Sequence, residues 1–67
     1  MAIIKIRELI GTSEKSFEDA LKKIVDHQVK AGKNVTGAKV LNQSVEVSGG
    51  DIVAYKVNVR VAYKWEE

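Results

Sequence analysis

The C-terminal part of the chain alternates between two kinds of side chain with a period of two. In the stretch VAYKVNVRVAYKW, which runs from Val53 to Trp65, every odd-numbered position holds valine, tyrosine or tryptophan. The even positions are mainly small, polar or basic and include Lys56, Arg60 and Lys64. Successive side chains of a strand point to opposite faces of the sheet. The pattern therefore predicts a long strand with one face in the core and the other in solvent.

A second strand is predicted over residues 34–47, immediately before a glycine-rich link. The link Ser48-Gly49-Gly50-Asp51 favours a tight hairpin, because both glycines can adopt positive φ. The apolar pattern changes phase within this strand, since Ala38 and Val40 share one parity while Val45 and Val47 share the other. One extra residue restores continuity, so we predict a β-bulge near residues 42–43.

The N-terminal half predicts a strand followed by an amphipathic helix. The strand covers residues 3–10, with Ile4, Ile6 and Ile10 on one face and Lys5 and Arg7 on the other. Thr12 or Ser13 is the predicted N-cap of the helix, and Gly32 is the predicted residue just past its end. One helix face is apolar and carries Phe17, Ala20, Leu21, Ile24, Val25 and Gln28.

The element order β-α-β-β predicts an α+β fold, in which a three-stranded antiparallel sheet wraps around one helix. We interpret residues 1–67 as a single domain. The third strand is longer than the helix can cover. Either the sheet curves around the helix or the ends of its apolar face meet another subunit. Tyr63 and Trp65 are the candidates for such a contact.

The small size of the chain favours an oligomer. A domain of 67 residues buries only about 60% of its unfolded surface and is marginally stable alone. The sequence has no Cys for a disulfide, and its one histidine, His27, stands without a metal-ligand partner. Association of subunits is the expected source of stability, with a well-packed monomer as the alternative. A hydrophobic content of 45% argues against disorder, and no apolar run is long enough to span a membrane. We expect a cytoplasmic location.

The sequence does not predict an enzyme, because no nucleophile, base or metal-ligand set stands at a recognisable spacing. Lys56, Arg60 and Lys64 share one strand face and could bind nucleic acid or another anionic partner. No aromatic residue shares that face, so base stacking is missing. Pairing of these cations with acids such as Glu46 is the favoured interpretation, and nucleic acid is not the expected partner.

Three features together resemble the dodecin family. They are the IGTS junction between strand and helix, the spacing from there to AKVLNQSVEV, and the closing pattern Y-x-V-x-V-x-V-A-Y. The resemblance covers essentially the whole chain. It implies a hollow homododecamer that stores or buffers a small ligand at subunit interfaces, with flavin (FMN, FAD or riboflavin) as the usual cofactor.

This chain departs from the family pattern at the ligand. Flavin-binding dodecins carry a stacking tryptophan early in the second strand, and the matching position here is Gly37. They also carry a glutamine in the third strand that bonds the flavin edge, and the matching position is Lys56. Both positions have the parity that faces away from the helix, and we expect them to lie opposite each other. The candidate cofactor-binding residues are therefore Gly37, Lys56, Asn58 and Arg60. The shell is expected to lack the tryptophan and the glutamine with which the family usually holds flavin.

Two alternatives stay open at this point. Some dodecin-like proteins without that tryptophan are linked to calcium or other cations, and the acids Glu8, Asp19 and Glu46 or those of the C-terminal tail could meet across an interface. Gly37 could also serve the backbone alone, at a twist or bulge of the strand.

Overall fold

The computed structural model describes residues 2–66 and the side chains of residues 3–65. Its elements are β1 (Ala2–Ser13), α1 (Phe17–Lys30), β2 (Asn34–Ser48) and β3 (Asp51–Glu66). The strands form one antiparallel sheet in the order β1-β3-β2, and α1 contacts all three strands. The predicted α+β fold, a three-stranded antiparallel sheet around one helix, is confirmed. No helix within residues 2–66 is long and apolar enough to cross a membrane.

The core lies between the central strand β3 and the helix. Val57, Val59 and Val61 are buried against Ala20 and Ile24, which confirms the odd-numbered face of β3 as the core face. The helix has 14 residues and covers about 21 Å, whereas the longest dimension of the molecule is 52 Å. The sheet therefore extends past the helix at its ends.

The sheet has two faces with different surroundings. The inner face is the one that packs on α1, and it includes Leu9 of β1 beside the core. The outer face points away from α1. Because side chains alternate along a strand, Ile4, Ile6 and Ile10 lie on the outer face, where they are 54%, 59% and 70% exposed. The isoleucine face of β1 therefore contributes nothing to the core of the subunit.

The predicted N-cap of the helix is wrong. Ser16 is the cap, and its side chain accepts a hydrogen bond from the backbone N–H of Asp19 at 3.0 Å. Thr12 and Ser13 still belong to β1, where Ser13 pairs with Tyr55 of β3. The buried Ser13 hydroxyl donates to Asp19 Oδ2 at 2.6 Å and accepts from the N–H of Lys15 at 2.9 Å. β1 continues to Ser13 because the long β3 offers hydrogen-bond partners for its backbone N–H and C=O groups beyond residue 10, where the local pattern predicts its end.

The C-terminal end of the helix follows the prediction. Gly32 has a φ of 83°, and its N–H donates to the carbonyl of Val29 at 3.0 Å. The N–H of Lys33 donates to the carbonyl of Gln28 at 3.1 Å. This pair of bonds is a Schellman motif, in which a left-handed glycine satisfies the last helical carbonyls.

The hairpin between β2 and β3 also follows the prediction. Gly49 and Gly50 have φ values of 60° and 85°, and Ser48 pairs with Asp51, as in a two-residue turn that needs positive φ twice. The register of β2 shifts between Val40 and Asn42, which confirms a bulge one residue before the predicted place.

A further bulge lies at Thr36, because the register of β2 also shifts between Val35 and Gly37. Val35 packs beside the core, and without the extra residue Gly37 would share its face. The bulge sends Gly37 to the outer face instead, opposite Ala62 of β3. The backbone irregularity suspected at Gly37 is therefore real, and it decides which face this position occupies.

Candidate functional site

The candidate cofactor-binding residues all lie on the outer face of the sheet. Lys56, Asn58 and Arg60 alternate with the buried valines of β3, so they point away from the helix. Gly37 joins them through the bulge at Thr36. The structure thus confirms the predicted face of these residues.

Gly37 and Lys56 are not neighbours within one subunit, which corrects the expectation that they lie opposite each other. Gly37 pairs with Ala62, whereas Lys56 pairs with Ser44. The separation of six residues along β3 corresponds to about 20 Å. The reason is the register of the hairpin, which the parity of each strand does not specify. A pocket that includes both positions has to combine residues of different subunits.

Gly37 is open to solvent, and the backbone does not require glycine there. The glycines with positive φ are Gly32, Gly49 and Gly50. A Cβ atom at Gly37 would meet no atom within 4 Å. The hydroxyl of the neighbouring Thr36 donates to the carbonyl of Ala62 at 3.4 Å, across the bulge. A larger side chain therefore fits at position 37 without strain in the subunit.

Acidic side chains of the flanking strands neutralise part of the positive charge that Lys56, Arg60 and Lys64 bring to the outer face of β3. Lys56 Nζ lies 2.9 Å from Glu46 Oε1 of β2. Arg60 Nε lies 3.6 Å from Glu8 Oε1 of β1, which is too long for a strong hydrogen bond. The pairing of Lys56 with Glu46 confirms the interpretation favoured from the sequence. It also removes Lys56 from the cations that are available for an anionic partner.

Asn58 occupies the centre of the outer face, between Ile10 of β1 and Asn42 of β2. Its Oδ1 atom is buried and has no hydrogen-bond donor among the described residues. An unsatisfied buried acceptor costs free energy, and no hydrogen bond among the described residues offsets that cost for Asn58 Oδ1. No sequence pattern could have indicated this environment, because it depends on three strands at once.

Two other concave surfaces, both lined by described residues, carry no converging set of reactive groups. A cleft of about 550 Å³ lies where β1 meets α1, and its charged lining mixes Glu14 and Glu46 with Lys15 and Lys23. His27 is exposed beside a smaller, mainly apolar groove. Within the part of the chain that the structure describes, no group of three His, Cys, Asp or Glu side chains could hold a metal ion.

Known proteins match the chain over nearly its full length. The family model Dodecin matches residues 3–66. A curated relative, the calcium dodecin of Mycobacterium tuberculosis, is 27% identical over 64 residues, which cover 96% of this chain and 90% of the relative. The solved structure of the M. tuberculosis calcium dodecin, a calcium-chelating antigen with a novel calcium-binding site, has a TM-score of 0.83 at 25% identity, covering 96% of this chain and 91% of that one.

Two further solved structures share the fold. A mutant of the Thermus thermophilus dodecin has a TM-score of 0.92 at 24% identity, and the alignment covers 100% of both chains. The dodecin of Streptomyces coelicolor has a TM-score of 0.92 at 17% identity, covering 98% of this chain and 94% of that one.

Proposed function

The chain belongs to the dodecin family, and we propose that it forms a homododecameric shell that binds a small ligand between its subunits. The observation that carries this proposal is the contrast between a small core and much exposed apolar surface. We propose a storage or buffering role, not a catalytic one, for a single domain that spans residues 1–67.

Most of the exposed large apolar side chains lie in three clusters that the helix does not cover, while Val29 of α1 and Val40 of β2 are exposed outside these clusters. One cluster is the isoleucine face of β1. A second covers the hairpin arm, and a third lies at the opposite end of the sheet. The members with their exposed fractions are Ile4 54%, Ile6 59% and Ile10 70%; Val45 39%, Val47 60%, Ile52 54% and Val53 46%; Ile3 36% and Trp65 42%. Contiguous apolar surface of this kind is typical of interfaces between subunits.

The ligand contacts differ from those that the family resemblance implies for flavin. Position 37 offers no aromatic ring, and the ammonium group at position 56 is paired with Glu46. A missing stacking ring costs about 1–3 kcal/mol by analogy with base stacking. We therefore propose that flavin is not bound in the family's usual manner.

Calcium is the alternative ligand, suggested by the name of the M. tuberculosis relative. Within the described residues the acids considered for it are engaged elsewhere. Glu8 lies beside Arg60, Glu46 pairs with Lys56, and Asp19 pairs with Lys23. We propose that a cation site in this shell takes carboxylates from two or more subunits.

Native mass spectrometry of the purified protein tests the assembly and reports any bound mass in the same measurement. We expect twelve copies; a monomer at micromolar concentration would refute the proposal. The variant Ile6→Lys places a charge in the exposed isoleucine cluster and should shift the protein to smaller species. Thr12→Lys is its matched control, because Thr12 is an exposed polar residue on the same face of the same strand. Equal dissociation by both variants would contradict the role given to the isoleucines.

A further inference from the structure

Two cations lie directly opposite each other in the middle of the outer face. Lys39 of β2 is the register partner of Arg60 in β3. On the other side of Arg60, the register partner is Glu8 of β1. The row across the sheet therefore reads Glu8, Arg60, Lys39 and carries a net charge of +1. Side chains directly opposite on one face have Cβ atoms about 5 Å apart, and like charges at that distance repel.

Glu8 does not compensate this row fully. Its contact with Arg60 goes through Nε at 3.6 Å, so the terminal N–H groups of the guanidinium keep their hydrogen-bonding capacity. No acidic side chain among residues 3–65 forms an ion pair with Lys39. Lys56 differs, because Glu46 lies 2.9 Å away from it. Of the three cations Lys39, Lys56 and Arg60 on the outer face, Lys39 and Arg60 are therefore the two whose positive charge is not closely paired with an acid.

We infer that Lys39 and Arg60 form a binding site for a phosphate group, carried by inorganic phosphate or by a small organic phosphate. A phosphate dianion has acceptor oxygens for both cations at once, with the guanidinium fork on two oxygens and the ammonium on a third. A carboxylate ligand would bring only one negative charge, and Glu8 already supplies a carboxylate beside Arg60. A phosphate dianion brings two negative charges and therefore suits the pair of cations better. The inference rests on the proposed function in one respect, namely that ligands of this shell bind on the outer face.

The surroundings of the two cations leave room for the rest of an organic phosphate. Gly37 and Ala62 form the next row along the sheet, and the space above Gly37 is free to at least 4 Å from a Cβ position. The aromatic residues Tyr55, Tyr63 and Trp65 lie on the other face of β3. A nucleic acid would therefore find charge on this face but no platform for its bases.

Titration of the assembled protein with inorganic phosphate and with phenyl phosphate, followed by calorimetry at low salt, tests the inference. We expect binding of at least one probe. Tighter binding of phenyl phosphate would indicate an organic phosphate, and equal binding would indicate phosphate itself. Lys39→Gln and Arg60→Gln should each weaken binding about tenfold or more, the effect of losing a hydrogen bond to a charged group. Glu8→Gln should strengthen it, because the competing carboxylate is gone.

The matched control is Lys22→Gln, which removes the same charge from an exposed position on α1 and should leave the affinity unchanged. The inference is overturned if neither probe binds, or if Lys22→Gln weakens binding as much as Lys39→Gln. Preference for a single-stranded oligonucleotide with a steep salt dependence would also overturn it. Light scattering on the same samples separates the two proposals. If the protein is a dodecamer that does not bind phosphate, only the phosphate site is refuted. If it is a monomer that binds phosphate, only the proposed homododecamer is refuted.

Discussion

The packing of the helix on β1 requires a residue without a side chain at position 11. A Cβ atom on Gly11 would lie 2.5 Å from Cγ1 and 2.6 Å from Cδ1 of Ile24, and 3.0 Å from the carbonyl oxygen of Ala20. Ile24 is only 6% exposed and belongs to the core cluster, so a shift of its side chain would disturb the packing of that core. The Ala20 carbonyl belongs to the helix backbone. Gly11 has no positive φ, so contact with the helix is the reason for glycine here.

Gly11→Ala should destabilise the subunit by about 1–3 kcal/mol, the usual cost of an extra methyl group in a packed core. Gly37→Ala is the matched control. It too lies in a strand without positive φ, but its Cβ would meet nothing within 4 Å. Loss of backbone freedom in the unfolded chain should stabilise that variant by a few tenths to about 1 kcal/mol. The two substitutions are chemically identical, so the difference between them isolates the contact with the helix.

Urea unfolding at a fixed protomer concentration measures both variants, because association makes the stability depend on concentration. A double-mutant cycle with Ile24→Ala provides a second test. Ile24→Ala alone should cost about 2–5 kcal/mol, and most of the cost of Gly11→Ala should vanish in its presence because the clashing atoms are gone. If Gly11→Ala is as stable as Gly37→Ala, or if the two effects simply add, the packing argument fails.

Three further predictions concern the helix start and the ligand face. Ser16→Ala should cost about 1 kcal/mol through loss of the N-cap, while Thr12→Ala should stay within about 0.5 kcal/mol; the opposite ranking in urea unfolding would restore the cap expected from the sequence. The Ser13 hydroxyl, and after it Lys23, lowers the pKa of Asp19 below 3.8, so its stabilising effect is full above that pH and is lost as the pH falls through the lowered value. Asp19→Asn should therefore reduce the unfolding midpoint at pH 7 but not in strong acid, and Asp26→Asn should change little at either pH. Gly37→Trp with Lys56→Gln should raise riboflavin affinity about 5- to 150-fold, as measured by fluorescence quenching; no gain would refute the alignment of these positions with the family's flavin contacts.

The sequence by itself determined the elements and the faces within each element. The alternation in residues 53–65, the glycine pair at 49–50 and the helix end at Gly32 depend on contacts between near neighbours. Local periodicity and turn chemistry express such contacts directly. The pairing of Lys56 with Glu46 could also be predicted from the sequence, because the two residues carry opposite charges on the two strands of one hairpin.

Only the tertiary structure decided how the elements meet. Three relations join distant parts of the chain. They are the choice of the β1 face that the helix covers, the contact between Gly11 and Ile24, and the pairing of Lys39 with Arg60. Each bulge reverses the parity of the strand beyond it, so the bulge at Thr36, which the sequence left only as an alternative, helps to place Gly37 on the outer face. Periodicity specifies which residues share a face, but register and helix packing minimise the free energy of the whole sheet, and no short segment of sequence contains that information.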